Sequence, residues 1–230
     1  MVRSSMRRSM GSQLRKRSRL SQLSLPLVSS AGLLLTATPV LAHHAMAGRL
    51  PANFVEGFLS GLAHPVIGLD HLAFVVAVGL LAATEPMGLV IPIAFILTAM
   101  LGTGLHLISV PLPAVELLVS GSILLFGSLL VRQTKLSLPM VAGLAALAGL
   151  FHGYAYGEAI FGAEMTPLLS YLIGFTAIQL LIALSAFWVG RRLLRQPGRE
   201  SANLRSAGLV ICGIGIAFFA SQVVATVLPV

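Results

Sequence analysis

Long apolar stretches alternate with short polar breaks through most of the chain, at roughly 54–83, 88–108, 114–131, 138–156, 168–190 and 206–228. About 20 apolar residues are enough to cross the hydrocarbon core of a bilayer as a helix. Each stretch therefore predicts one spanning helix, and together they predict an all-α, polytopic bundle of six transmembrane helices. The first stretch is too long for one straight helix. Pro65 and Gly68 inside it predict a kink or a break.

An earlier apolar stretch, from about residue 25 to 41, differs from these six. Pro26, Ser29, Ser30, Thr36, Thr38 and Pro39 interrupt it, a basic region ending at Arg19 precedes it, and Val40-Leu41-Ala42 closes it. This is the pattern of a secretory signal peptide with cleavage after Ala42. The expected domains are a signal peptide over 1–42 and a membrane domain over 43–230. The mature chain would then begin His43-His44 on the external side; retention as a signal anchor is the other outcome.

Composition agrees with a membrane protein. Hydrophobic residues make up 57% and charged residues 10% of the 230, against about 25% charged in soluble domains. The net charge of +8 is not spread over a surface: seven of the 15 basic residues lie in the first nineteen positions. No basic face with interleaved aromatics suggests nucleic acid. Arg132 and Lys135 follow the third stretch, and Arg191, Arg192, Arg195, Arg199 and Arg205 follow the fifth. Basic loops stay in the cytoplasm, and an odd number of spans precedes each of these loops. The mature N-terminus is therefore expected outside, in agreement with a cleaved signal peptide and a bacterial inner-membrane location. The lone Cys212 lies in the last stretch and reads as a packing residue.

Small residues at four-residue spacing let membrane helices approach closely. Ala145, Gly149, Gly153 and Gly157 do so in the fourth stretch, Gly57 and Gly61 in the first, and Gly213, Ala217 and Ser221 in the sixth.

Ionisable groups inside a membrane are costly, about 2.5–3.5 kcal/mol at the helix centre on insertion scales, and so mark function. This chain places His64, Asp70 and His71 in the first stretch, His106 late in the second, Glu116 early in the third, and His152 and Glu158 late in the fourth. Under the expected topology all seven fall in the outer half of the membrane. Glu56, Glu85 and Glu164 read as loop or interface residues. Imidazole and carboxylate together suit Ni²⁺, Co²⁺, Zn²⁺ and Cu²⁺ better than Mg²⁺ or Ca²⁺. On a continuous helix His64 and His71 would share one face, with Asp70 beside it as a ligand or as an acceptor behind a ligating histidine. Pro65 would free a backbone carbonyl near His64. His43 and His44 would capture metal at the mouth. Any one of these histidines could equally serve a helix–helix hydrogen bond; the group is what points to metal.

Two motifs carry a resemblance. His64-Pro65-Val66-Ile67-Gly68-Leu69-Asp70-His71 resembles the signature of the HupE/UreJ family of nickel (or cobalt) permeases, and Phe151-His152-Gly153-Tyr154-Ala155-Tyr156-Gly157-Glu158 resembles that family's second motif. The resemblance implies a permease that supplies metal for [NiFe] hydrogenase or urease. It also implies that His64, Asp70, His71, His152 and Glu158 recognise the ion. Tyr156 stands where a further histidine is common in the family, which leaves nickel versus cobalt open.

One pattern stands apart from the family. Gly61-Leu62-Ala63-His64 with Asp70, and Gly149-Leu150-Phe151-His152 with Glu158, share Gly-Leu-x-His-x5-acid. They sit in stretches one and four, which cross the membrane in opposite directions. A 3+3 inverted repeat with the site between its halves is the arrangement this predicts.

The expected function is transport of a divalent transition-metal ion, Ni²⁺ first, into the cell, with no enzyme activity and no prosthetic group. No Gly-x4-Gly-Lys-Ser/Thr loop is present, so ATP binding is not expected. The expected partners are the ion, the lipid bilayer and, in some form, further copies of the chain. The alternatives are a metal-binding assembly factor or sensor without transport, and an intramembrane metalloenzyme.

Overall fold

A computed structural model describes residues 49–133, 136–195 and 200–227. The expected signal peptide, its cleavage site and His43-His44 lie outside the described residues. Seven helices follow in order: α1 (Phe54–Ile67), α2 (Leu69–Ala83), α3 (Val90–Leu107), α4 (Val115–Arg132), α5 (Leu138–Glu158), α6 (Met165–Leu193) and α7 (Glu200–Val227). No strand occurs among the described residues. Helices α3 to α7 are each long and apolar enough to cross a membrane, and α1 with α2 passes the same test as a bent pair. That gives five spans, or six with the pair counted as one, as the apolar stretches predict.

The expected break in the first span is real, but Pro65 does not make it. Pro65 stays inside α1, and the helix stops at Gly68, whose extended backbone (φ −70°, ψ 97°) turns the chain by 78° into α2. The His64 carbonyl accepts from the Gly68 N–H at 3.0 Å, and the Gly68 carbonyl accepts from the Leu72 N–H at 2.9 Å. One carbonyl in the last turn of α1 and the cap carbonyl of α2 are thereby satisfied. The carbonyl of His64 itself is therefore taken. The position that loses its i+4 donor to Pro65 is Gly61. His64 and His71 are also not on one face of a continuous helix; the elbow brings them together instead.

The start of α1 is fixed locally. Asn53 Oδ1 accepts from the Glu56 N–H at 3.0 Å, and Glu56 Oε2 accepts from the Ala52 N–H at 2.9 Å. This reciprocal cap accounts for Glu56 without any role in binding.

Three tight helix pairings organise the described bundle. A Cβ at Gly61 would overlap the Tyr171 carbonyl, one at Gly57 the Pro167 carbonyl, and one at Gly79 the Ala183 carbonyl, so α1 and α2 run parallel along α6. A Cβ at Gly149 would overlap the Phe95 carbonyl, and one at Gly153 the Ala99 carbonyl, so α3 and α5 are also parallel. Gly127 meets Cys212, Gly215 meets Leu124 and Gly208 meets Leu130, so α4 and α7 are antiparallel. Close approach without side chains in the way is the packing expected of membrane helices. The last helix departs from the expected stripe. Gly213 has open space around it, and Gly208 and Gly215, two turns apart, make the contact.

Polarity is turned inside out. Leu97, Leu181 and Trp188 are each more than 60% exposed, while His64, Asp70, His71, His152 and Gln179 are buried. Phe74, Phe95 and Phe126 pack ring to ring in the core beneath them. Arg132, Arg191 and Arg205 gather at one end of the described bundle. Arg132 and Arg205 line one cavity there, and Arg191 ties the end of α6 to the end of α2 by donating to the Glu85 carbonyl at 2.9 Å.

Candidate metal site

The elbow at Gly68 places His64 in the last turn of α1 and Asp70 and His71 in the first turn of α2. Glycine is needed here for space: a Cβ at Gly68 would lie 2.8 Å from His71 Cδ2 and 3.2 Å from Asp70 Oδ1. Helix α5 brings His152 and, one turn later, Tyr156 against the elbow. The His64 and His71 ring centroids are 6.0 Å apart, and Tyr156 lies 5.0 Å from the first and 4.2 Å from the second. His71 and His152 are 5.1 Å apart. The gap between His64 and His71 is thus walled by a phenol whose oxygen is buried without a hydrogen-bond partner.

Each imidazole is held by a second side chain. His71 Nδ1 lies 2.9 Å from His152 Nδ1, and His152 Nε2 lies 2.9 Å from Ser122 Oγ of α4. His64 Nδ1 lies 2.9 Å from the Tyr171 hydroxyl of α6, which also donates to the Tyr156 carbonyl at 3.1 Å. Asp70 Oδ1 accepts from the His71 N–H at 2.8 Å, anchoring the first turn of α2. The site therefore draws on α1, α2, α4, α5 and α6.

Of the residues singled out from sequence, His64, Asp70, His71 and His152 are all at most 3% exposed and meet at this elbow. The outlying ones are placed differently. His106 is half-buried at the end of α3, with its ring against Tyr154 and Phe161. Glu116 is half-buried in the first turn of α4, and Glu158 is exposed at the end of α5. Among the described residues no three His, Cys, Asp or Glu side chains close into a ready-made cage. The arrangement is a cluster of imidazoles and phenols with a carboxylate behind it.

Sequence reasoning missed Ser122, Tyr171 and Gln179. Ser122 and Tyr171 contact the histidines directly. Gln179 is fully buried in α6, with Oε1 lacking a hydrogen-bond partner. A serine hydroxyl is cheap in a membrane helix because it bonds to its own backbone, and a tyrosine reads as a packing aromatic, so nothing in a single sequence separates Ser122 and Tyr171 from the rest. Gln179 carried a signal: a lone amide in the middle of an apolar stretch.

The HupE / UreJ protein family model matches residues 31–218. A relative named Protein HupE, from Rhizobium leguminosarum bv. viciae, is 27% identical over 183 residues, which is 79% of this chain and 95% of that protein. No solved structure matches the chain. The family match runs through both histidine motifs and reaches well into the last helix, and the buried imidazole cluster sits within it: the chain belongs to the HupE/UreJ family and is a multi-pass membrane protein.

Proposed function

We propose that this protein carries a divalent transition-metal ion, Ni²⁺ first and Co²⁺ second, across the bacterial inner membrane into the cell. The observation that carries this reading is the meeting of His64 and His71 across the Gly68 elbow, with the Tyr156 ring against both. Imidazole nitrogen is the donor that late first-row divalent ions favour. The broken span exposes helix ends deep in the bundle, an arrangement that membrane transporters use for ions. His64 and His71 supply nitrogen, and Asp70 lowers the electrostatic cost of the cation. In this reading the basic end with Arg132, Arg191 and Arg205 faces the cytoplasm, and the ion enters from the opposite end, past His106, Glu116 and Glu158.

The same reading includes a 3+3 inverted repeat. Gly61 sits on the Tyr171 carbonyl, and Gly149, its counterpart in the shared motif, sits on the Phe95 carbonyl. Exchanging spans one and four, two and five, and three and six turns the α1/α2–α6 pairing into the α5–α3 pairing and leaves α4–α7 unchanged. Both exchanged pairings are parallel, as such a symmetry requires. An experimental structure in which the two triplets of spans share no common path overturns the repeat.

Transport is tested by loading proteoliposomes that contain the purified protein with a metal-sensitive dye and adding Ni²⁺, Co²⁺ or both. Saturable accumulation of Ni²⁺, with Co²⁺ competing, supports the permease. Binding without accumulation supports a sensor or assembly factor.

A further inference from the structure

We infer that His152 is a positioning residue and not a metal ligand: Ser122 fixes its tautomer, and it turns the Nε2 lone pair of His71 toward the elbow. The argument is a count of protons. Ser122 has one hydroxyl proton, and it is committed to the Val119 carbonyl at 2.6 Å. Toward His152 Nε2, at 2.9 Å, Ser122 Oγ can then only accept, so His152 carries its proton on Nε2. In a neutral imidazole the other nitrogen is then an acceptor. His152 Nδ1 faces His71 Nδ1 at 2.9 Å, so His71 must be the donor there. His71 is left with its proton on Nδ1 and its lone pair on Nε2. Neutral rings are the state that a fully buried site favours.

A second relay does the same for His64 from the other side. The Tyr171 hydroxyl spends its proton on the Tyr156 carbonyl at 3.1 Å and accepts from His64 Nδ1–H at 2.9 Å. His64 also presents Nε2. In His152 both nitrogens are engaged, by Ser122 and by His71, and its ring stacks on Phe74 at 4.3 Å and meets Phe95 edge-on at 6.0 Å. The ligating histidines are thus preset by hydroxyls on α4 and α6, as metal-bound imidazoles are elsewhere fixed by the acceptor on their far nitrogen. This rests on the proposed function only in taking metal as what His64 and His71 receive.

The test uses the full-length protein in lipid nanodiscs, with imidazole ¹⁵N spectra assigned by single histidine replacements. Without metal, the wild type is expected to show His64 and His71 protonated on Nδ1 and His152 on Nε2. Ser122→Ala releases His152 and mixes the tautomers of His152 and His71, and Ser122→Thr restores them. With Zn²⁺ as a diamagnetic probe, the Nε2 signals of His64 and His71 shift and those of His152 do not. In Ni²⁺ uptake, Ser122→Ala raises KM about tenfold with kcat unchanged, within the range for residues that orient a metal ligand, and Ser122→Thr recovers the wild-type KM. A ligation shift at His152, or Ser122→Ala spectra identical to wild type, overturns the inference. A wild type that accumulates no Ni²⁺ removes the transport reading, while the metal-free spectra still decide the tautomers.

Discussion

His71 and His152, 81 residues apart in the chain, meet Nδ1 to Nδ1 at 2.9 Å in the buried centre of the bundle. One of the two nitrogens must donate and the other accept, so the pair is asymmetric and its members are not interchangeable. His71→Ala is expected to abolish saturable Ni²⁺ uptake, because it deletes a donor nitrogen. His152→Ala is expected to leave uptake saturable, with KM raised about 10–100-fold, the usual cost of losing the partner that orients a ligand. Initial rates in proteoliposomes over a wide Ni²⁺ range separate the two; equal abolition would make His152 a ligand.

The elbow gives a second expectation. An added methyl at Gly68 would press on His71 Cδ2 from 2.8 Å. Gly68→Ala should fold and insert normally yet transport at least tenfold more slowly, since a misplacement of about 1 Å can cost 10²-fold when geometry matters. Normal rates in a protein of normal thermal stability would show that the His71 ring can give way without consequence.

Helix packing predicts which glycines tolerate change. Gly149→Val drives a side chain into the Phe95 carbonyl and Thr98 Oγ1, whereas Gly143 and Gly213 face open space. Gly149→Val is expected to destabilise by about 1–3 kcal/mol, the range for overpacking, and to lower the detergent unfolding temperature. Gly143→Ala and Gly213→Ala should leave that temperature within a degree or two of wild type. A uniform response across the three would remove the register assigned to the α3–α5 pair.

Gln179 separates stability from activity. Its Oε1 is buried with no hydrogen-bond partner, and its Nε2 reaches only the Phe175 carbonyl, at 3.3 Å. An unsatisfied buried acceptor costs about 1–3 kcal/mol, so Gln179→Leu is expected to hold or raise the unfolding temperature. If the amide lines the inward path, the same variant lowers Ni²⁺ uptake severalfold. Unchanged uptake would leave Gln179 as a packing residue.

Much of this was legible in the sequence because lipid imposes a coarse rule. A helix that must satisfy its own backbone and face acyl chains reads as a long apolar stretch, and the observed helices fall within a few residues of those stretches. His64, Asp70, His71 and His152 were legible because buried ionisable groups are costly. The elbow was legible as a weak point at Pro65 and Gly68; that Gly68, which gives room to the His71 ring, and not Pro65 makes the turn was not. The partners of the histidines were hidden as well. A serine in an apolar helix has a local use for its hydroxyl and a tyrosine reads as a packing aromatic, and only the fold brings Ser122 and Tyr171 within 2.9 Å of His152 and His64. Likewise the packing stripe of the last helix depends on which face meets α4, and spacing alone favoured Gly213.

The broken first span also shapes the field an ion would meet. Peptide dipoles in α1 add up to about half a negative charge at its carboxyl-terminal end, and Gly68 stops the helix so that this end falls beside the buried His64. The opposing positive end of α2 is offset by the Asp70 carboxylate in its first turn. The backbone thus sets a partial negative charge beside the imidazole cluster, with the Asp70 carboxylate as the fixed anion next to it.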